Sequence, residues 1–166
     1  KNCGSCGYGT CREKAIAVIR GLAEIDMCLP YMRSKAESFA NLIVENSVDG
    51  ILVVDNYMTI QEVNPAFKQM FGLEKLIEKG MSLTEFISCV DYVQVATFGN
   101  KVVQKRIDYP DHGLITDQMI VPIPEHGLVL IVISNVTEEQ RRMESMKKMK
   151  DETIEKANEI INRQMK

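Results

Sequence analysis

The chain has 166 residues, enough for one ordinary domain with small appendages. Hydrophobic residues make up 45% and charged residues 26%, the balance of a globular protein. A net charge of −3 gives no support to a nucleic-acid or other polyanion-binding surface, and no apolar run approaches the roughly 18 residues of a membrane-spanning helix. The chain opens Lys1-Asn2-Cys3, with no initiator Met and no secretory h-region, so a cytoplasmic piece of a longer polypeptide is expected. Four of the five cysteines, Cys3, Cys6, Cys11 and Cys28, lie in the first 28 residues, and Cys89 stands apart. That clustering suits a metal or iron–sulfur site in a reducing compartment, not a disulfide framework.

In chain order, Cys3-Gly4-Ser5-Cys6-Gly7-Tyr8-Gly9-Thr10-Cys11 carries three glycines in nine residues, a loop able to fold tightly round a small object. Ala15, Ile16, Ile19, Leu22, Ala23 and Ile25 recur at helical spacing, and Leu29-Pro30 is expected to stop that helix. Ser34-x-x-Glu37 reads as a capping box ahead of Phe39, Leu42 and Ile43. Asp49-Gly50 introduces a buried strand, Ile51–Asp55, and Asn56 a tight turn into a second, Met58–Val63. Asn64-Pro65 opens a short helix that closes at Gly72, with Asn64 as its cap. Ser82-x-x-Glu85 caps another. Three strands follow, Lys101–Tyr109, Leu114–Pro122 and Leu128–Ile133, joined by turns that contain His112 and His126. Thr137-x-x-Gln140 reads as a capping box for a last helix over 137–166, where 15 of 30 residues are charged. In it Met143, Met146, Lys150, Thr153, Ala157, Ile160 and Gln164 trace a polar-interrupted coiled-coil seam. The expected fold class is α+β: an antiparallel five-stranded sheet with short flanking helices, preceded by a small cysteine-cluster helical domain and followed by a long signalling helix. The expected divisions are 1–32, 33–136 and 137–166.

The cysteine spacing is C-x2-C-x4-C-x16-C. Three thiolates on one tight loop can bind three corners of a metal centre, with Cys28 arriving from beyond the helix. Zinc and iron–sulfur clusters both accept four thiolates. The second C-x-x-C knuckle of a zinc ribbon is missing, so the spacing suits a cubane better and leaves zinc as the alternative. The run Cys3-x-x-Cys6-Gly7-x3-Cys11-x3-Ala15, with Gly21 and Cys28, resembles the small iron–sulfur domain known as the FeS or four-cysteine cluster domain. That resemblance implies one 4Fe–4S cluster bound by Cys3, Cys6, Cys11 and Cys28. It departs from the family where Leu29 separates Cys28 from Pro30.

Asp49–Asp55, Ile60-x-x-Val63-Asn64-Pro65-Ala66-Phe67, Phe71-Gly72, the strand trio and Asn135-Val136-Thr137 together resemble a PAS domain. The family's Asp-x-Thr signature has Asn135 in place of the Asp. PAS domains bind flavin, haem or metabolites, dimerise, or bind nothing, so the PAS ligand stays unknown. The flavin-photosensor cysteine motif is absent. Cys89 reads as a small buried hydrophobe, His112 and His126 as exposed turn residues, and Phe67, Met70 and Phe71 as core.

The combination resembles the C-terminal regulatory part of a sensory-type FeFe hydrogenase, and the tail Asn162–Lys166 fits that family. By that resemblance the parent chain is a hydrogenase-like oxidoreductase. This segment has no P-loop, GxSxG or HExxH motif and is expected to carry no catalytic site of its own. The expected role is a redox- or hydrogen-linked sensory module that dimerises through the PAS flanks and C-terminal helix. Its partners would be the catalytic part of the parent chain and a downstream signalling protein, not nucleic acid or membrane. The connection between the two regions, Leu29 to Arg33, reads as short. The alternatives are an electron-transfer wire with the PAS domain as a dimerisation scaffold, and a zinc-stabilised PAS interaction module.

Overall fold

The computed structural model describes residues 2–99 and 101–164. Of the tail expected to fit the hydrogenase family, Met165 and Lys166 lie outside the described residues. The chain divides into two compact units between Asn46 and Ser47.

The first unit is helical. Helix α1 runs Cys11–Ile19, capped by Thr10, whose Oγ1 accepts from the Glu13 N–H at 3.2 Å. It ends sooner than the apolar spacing suggests, because Gly21 turns the chain at φ 70°. A single 3-10 turn, Ile25–Met27, leads to Cys28. Helix α2 then spans Leu29–Glu45. Pro30 therefore does not stop a helix but sits in the first turn of one, where its missing N–H costs nothing. The Ser34/Glu37 pair falls inside α2 and caps nothing; Glu37 instead accepts from Arg33 Nε at 3.0 Å. The short link expected over Leu29–Arg33 is thus part of a 17-residue helix.

The second unit is built on a five-stranded antiparallel sheet, as expected. Its strands are β1 (Gly50–Asp55), β2 (Ile60–Val63), β3 (Val103–Tyr109), β4 (Leu114–Ile123) and β5 (Leu128–Asn135), in the order β2-β1-β5-β4-β3. Gly113 and Gly127 take the left-handed conformation that closes the β3–β4 and β4–β5 turns. His112 and His126 are exposed in those turns. The turn after β1 is held by Asp55, whose Oδ1 accepts from the Tyr57 and Thr59 N–H groups at 2.9 Å each. Its left-handed residue is Met58, not Asn56. Strand β2 is correspondingly shorter than expected.

Strict alternation along β1, β4 and β5 sends Leu52, Val54, Ile120, Val129, Ile131 and Ile133 to one buried face. Helices α3 (Pro65–Met70) and α4 (Val90–Phe98), with the segment between them, supply Phe67, Phe71, Leu83, Tyr92 and Val95 to the same core. The expected Ser82 cap makes no cap bond and precedes only a 3-10 turn, Leu83–Glu85; its Oγ bonds Thr84 Oγ1 instead.

Helix α5 occupies Thr137–Gln164. Thr137 is its first residue, not its cap. Thr137 Oγ1 accepts from the Ile115 N–H at 2.9 Å and donates to Asn135 Oδ1 at 2.7 Å, which fixes the root of α5 on β4. Asn135 thus keeps the acceptor oxygen of the Asp it replaces. Arg106 adds a second tie: it pairs in a fork with Asp117 and donates from Nη1 to Gln140 Oε1 at 2.9 Å. That pairing holds the Asp117 carboxyl below its ordinary pKa.

Candidate metal centre

The first unit brings all four N-terminal cysteines to one place. Cys3, Cys6, Cys11 and Cys28 line a single cavity of about 380 Å³. A loop turn, with the Gly7 N–H on the Gly4 carbonyl at 3.0 Å and both glycines at positive φ, carries Cys3 and Cys6. Cys11 opens α1, and Cys28 is the residue from which α2 starts. Two of the four thiols therefore stand at helix N-termini, where backbone N–H groups favour negative charge.

The loop also aims donors at sulfur. Ser5 Oγ lies 3.4 Å from Cys3 Sγ, and this hydroxyl first, then the Ser5 backbone N–H, lowers the Cys3 thiol pKa. The Asn2 backbone N–H lies 3.3 Å from Cys11 Sγ and is the main cause of the lowered Cys11 pKa. Asn2 Oδ1 in turn accepts from the Cys11 N–H at 2.9 Å. Cys3 and Cys11 are exposed, while Cys6 and Cys28 are partly covered. Among the described residues no three His, Cys, Asp or Glu side chains converge closely enough to hold a single metal ion. The cysteines surround a volume instead of meeting at a point.

Helix α1 supplies one stretch of the remaining lining. Cys11, Lys14, Ala15 and Val18 follow the i, i+3, i+4, i+7 stripe that shares one helix face. Of the apolar residues expected to form one helical stripe, Ala15, Ile19 and Ile25 line the cavity, but Ile19 and Leu22 are largely exposed and Leu22 lies beyond the end of α1. Lys14 was not singled out by the sequence. It is 6% exposed, and its Nζ is buried with no hydrogen-bond partner. A lysine three residues after a ligand cysteine, one turn along the same face, is the signal that could have found it.

Cys89 has a different environment. It is buried in the sheet-bearing unit, its Sγ donates to the Ile87 carbonyl at 3.3 Å, and burial pushes its thiol up to about 11. Close by, Tyr92 donates to Gln118 Oε1 at 2.6 Å, and Gln118 Nε2 donates to Tyr109 Oη and Thr116 Oγ1, each at 3.0 Å. This closed network leaves the buried Gln118 amide satisfied on both sides. Asn64 is likewise committed to the backbone, as the N-cap of α3.

The contrast between the thiols gives a direct expectation. In metal-free protein at pH 8, Cys3 and Cys11 react with iodoacetamide well before Cys89, because only the thiolate is nucleophilic. Mass spectrometry of a labelling time course checks the order; Cys89 labelled as fast as Cys11 would mean that the second unit is not folded around it.

Comparison with known proteins finds likeness in two stretches of the chain. A family model described as "Putative Fe-S cluster" matches residues 1–30, and a PAS domain model matches residues 37–107. No curated protein matches. Among solved structures, the PAS domain of an HTR-like protein from Haloarcula marismortui is 20% identical, covers 64% of this chain and 96% of its own, and superposes with a TM-score of 0.52. The PAS domain of nitrogen regulation protein NR(II) from Vibrio parahaemolyticus is 15% identical over 58% of this chain and 96% of its own, with a TM-score of 0.45. The PAS domain of BvgS from Bordetella pertussis is 13% identical over 74% and 98%, with a TM-score of 0.46. The first of these establishes the fold. The chain therefore has a PAS fold, with a PAS family match over residues 37–107, preceded by a region that matches an iron–sulfur cluster family.

Proposed function

We propose that this chain is a redox-linked sensory module in which Cys3, Cys6, Cys11 and Cys28 hold one 4Fe–4S cluster. The observation that carries the reading is the shared cavity: four thiols, separated by up to 25 residues in sequence, line one volume. Four thiolates can hold a lone zinc or a polynuclear centre with one thiolate per iron, and the iron–sulfur family match over residues 1–30 supports the second. When bound, such a cluster supplies one-electron transfer.

The chain's own residues do the rest. The Asn2 N–H and the Ser5 hydroxyl are placed to donate to thiolate sulfur. Cys28 starts α2, and Glu45, its last residue, lies two residues before the second unit. A change of geometry at Cys28 therefore acts on a continuous helix of about 25 Å, at 1.5 Å per residue. At the output end, Thr137 and Arg106 fasten the root of α5 to the sheet. Met143, Met146 and Ile160 of its seam stay more than half exposed, in keeping with a dimer through that helix. The module has no catalytic role of its own and serves a hydrogenase-like parent chain in the cytoplasm. A signal passes only if the two redox states differ in their preference for one helix arrangement.

Iron, acid-labile sulfide and zinc analysis of anaerobically purified protein, with EPR after dithionite reduction, tests the reading. The expected result is about four iron and four sulfide per chain, the stoichiometry of one cubane, with a reduced-cluster signal. Zinc alone would overturn it in favour of a structural metal module. A loaded cluster whose reduction leaves α5 packing and dimerisation unchanged would favour the electron-transfer wire.

A further inference from the structure

We propose that Lys14 is the charge partner of the anionic metal–thiolate centre in this cavity and sets how readily the centre takes an electron. The proposal rests on the iron–sulfur reading above. Lys14 lines the cavity from the same helix face as Cys11. Its ammonium is buried and accepts no help from any hydrogen-bond acceptor among the described residues. The contact it does make is with the face of the Tyr8 ring, 5.2 Å from Nζ to the centroid. A ring face steadies a cation but does not neutralise it.

Burying an ammonium without an anionic or hydrogen-bonding partner is strongly unfavourable. The cavity wall carries apolar Ala15, Val18, Ile19 and Ile25 and neutral Asn2 and Thr10, none of which brings a negative charge to Lys14. Of the lining groups able to become anionic, the four thiols do so more readily than the phenols of Tyr8 and Tyr31. Thiolates carrying a metal cluster are therefore the complement that makes the position of Lys14 favourable. Tyr8, also on the wall, keeps its ring face against the ammonium.

The consequence is electrostatic. Reduction adds one electron, delivered by a one-electron donor, and the centre gains one unit of negative charge. No proton moves to or from Lys14. A fixed positive charge at the cavity wall stabilises the reduced state more than the oxidised state, so Lys14 raises the midpoint potential. Because the ammonium is buried, solvent and salt screen it little.

The test uses the full chain, loaded anaerobically, as wild type, Lys14→Met and Lys14→Arg. Met keeps the length of the stem and removes the charge; Arg keeps the charge. Midpoint potentials are read by EPR-monitored titration with dithionite, alongside iron content. The expected result is a lower midpoint in K14M, by at least a tenfold change in the reduction equilibrium, which is 59 mV for one electron. K14R stays close to wild type. An unchanged midpoint in fully loaded K14M, or a K14R midpoint that falls as far as K14M, overturns the proposal while leaving the cluster reading intact. Should K14M fail to load, restoration of loading by K14R supports the charge role, and a shared failure overturns it. A wild type that takes up no iron and sulfide overturns both readings together.

Discussion

Removing the metal from the loaded protein with an oxidant and chelator is expected to unfold α1 while leaving the sheet of the second unit intact. The first unit has almost no conventional core. Of its described residues through Asn46, the buried ones are Lys14 and Ala17. Ile19 and Leu22 are exposed by 85% and 75%, so the helix buries little apolar area against anything. A unit this small ordinarily needs a disulfide, a metal or a partner to fold. With four cysteines lining one of its cavities, the proposed metal would take the place of a core, and metal binding would become folding free energy. Hydrogen exchange followed by mass spectrometry measures this directly. Amides of Cys11–Ile19 lose nearly all protection on metal removal, whereas those of β1 and β5 keep theirs. The same loss is expected in Cys28→Ala, which removes a proposed ligand at the start of α2. Equal protection with and without metal would show that α1 stands on its own contacts.

Asn64→Ala is expected to be among the most damaging single substitutions in the second unit, at about 3 kcal/mol or more. The Asn64 side chain is 2% exposed. Its Oδ1 accepts from the Ile51 N–H at 2.8 Å and from the Phe67 N–H at 3.0 Å, and its Nδ2 donates to the Asp49 carbonyl at 2.9 Å. One amide thus ties the entry to β1 to the first turn of α3. Alanine leaves two buried donors and an acceptor unmatched, each costing roughly 1–3 kcal/mol. A domain has only about 5–15 kcal/mol to lose. Urea denaturation checks the size: the midpoint falls with an unchanged slope if the loss is of native contacts. A change within about 0.5 kcal/mol, the range of ordinary surface substitutions, would mean that water or a rearranged turn replaces all three bonds.

The legibility of this molecule in its sequence follows the range of the interactions involved. Cysteines that must meet at one centre leave a local spacing, and Cys3, Cys6, Cys11 and Cys28 do share a cavity. Strand alternation is local too, which is why β3, β4 and β5 fall within a few residues of their expected limits. Asn64 as a helix cap was readable from Asn-Pro alone. What escaped was whatever depends on helical phase or on a distant partner. Pro30 suits a helix start as well as a stop, and only the position of Cys28 before it decides between them. Lys14 gains its meaning from the phase that Thr10 imposes on α1. Thr137 looks like a cap from its neighbours, but β4, some twenty residues earlier, claims its hydroxyl.

Cys11 at the head of α1 and Cys28 at the head of α2 have one more consequence. The peptide dipoles of both helices present their positive ends to the cavity. Unlike a histidine or a carboxylate, a main-chain dipole has no proton to gain or lose. The preference of this site for an anionic centre is therefore held partly by the backbone. It persists across the pH range in which the helices stay folded, and it tolerates drift in the side chains along their outer faces.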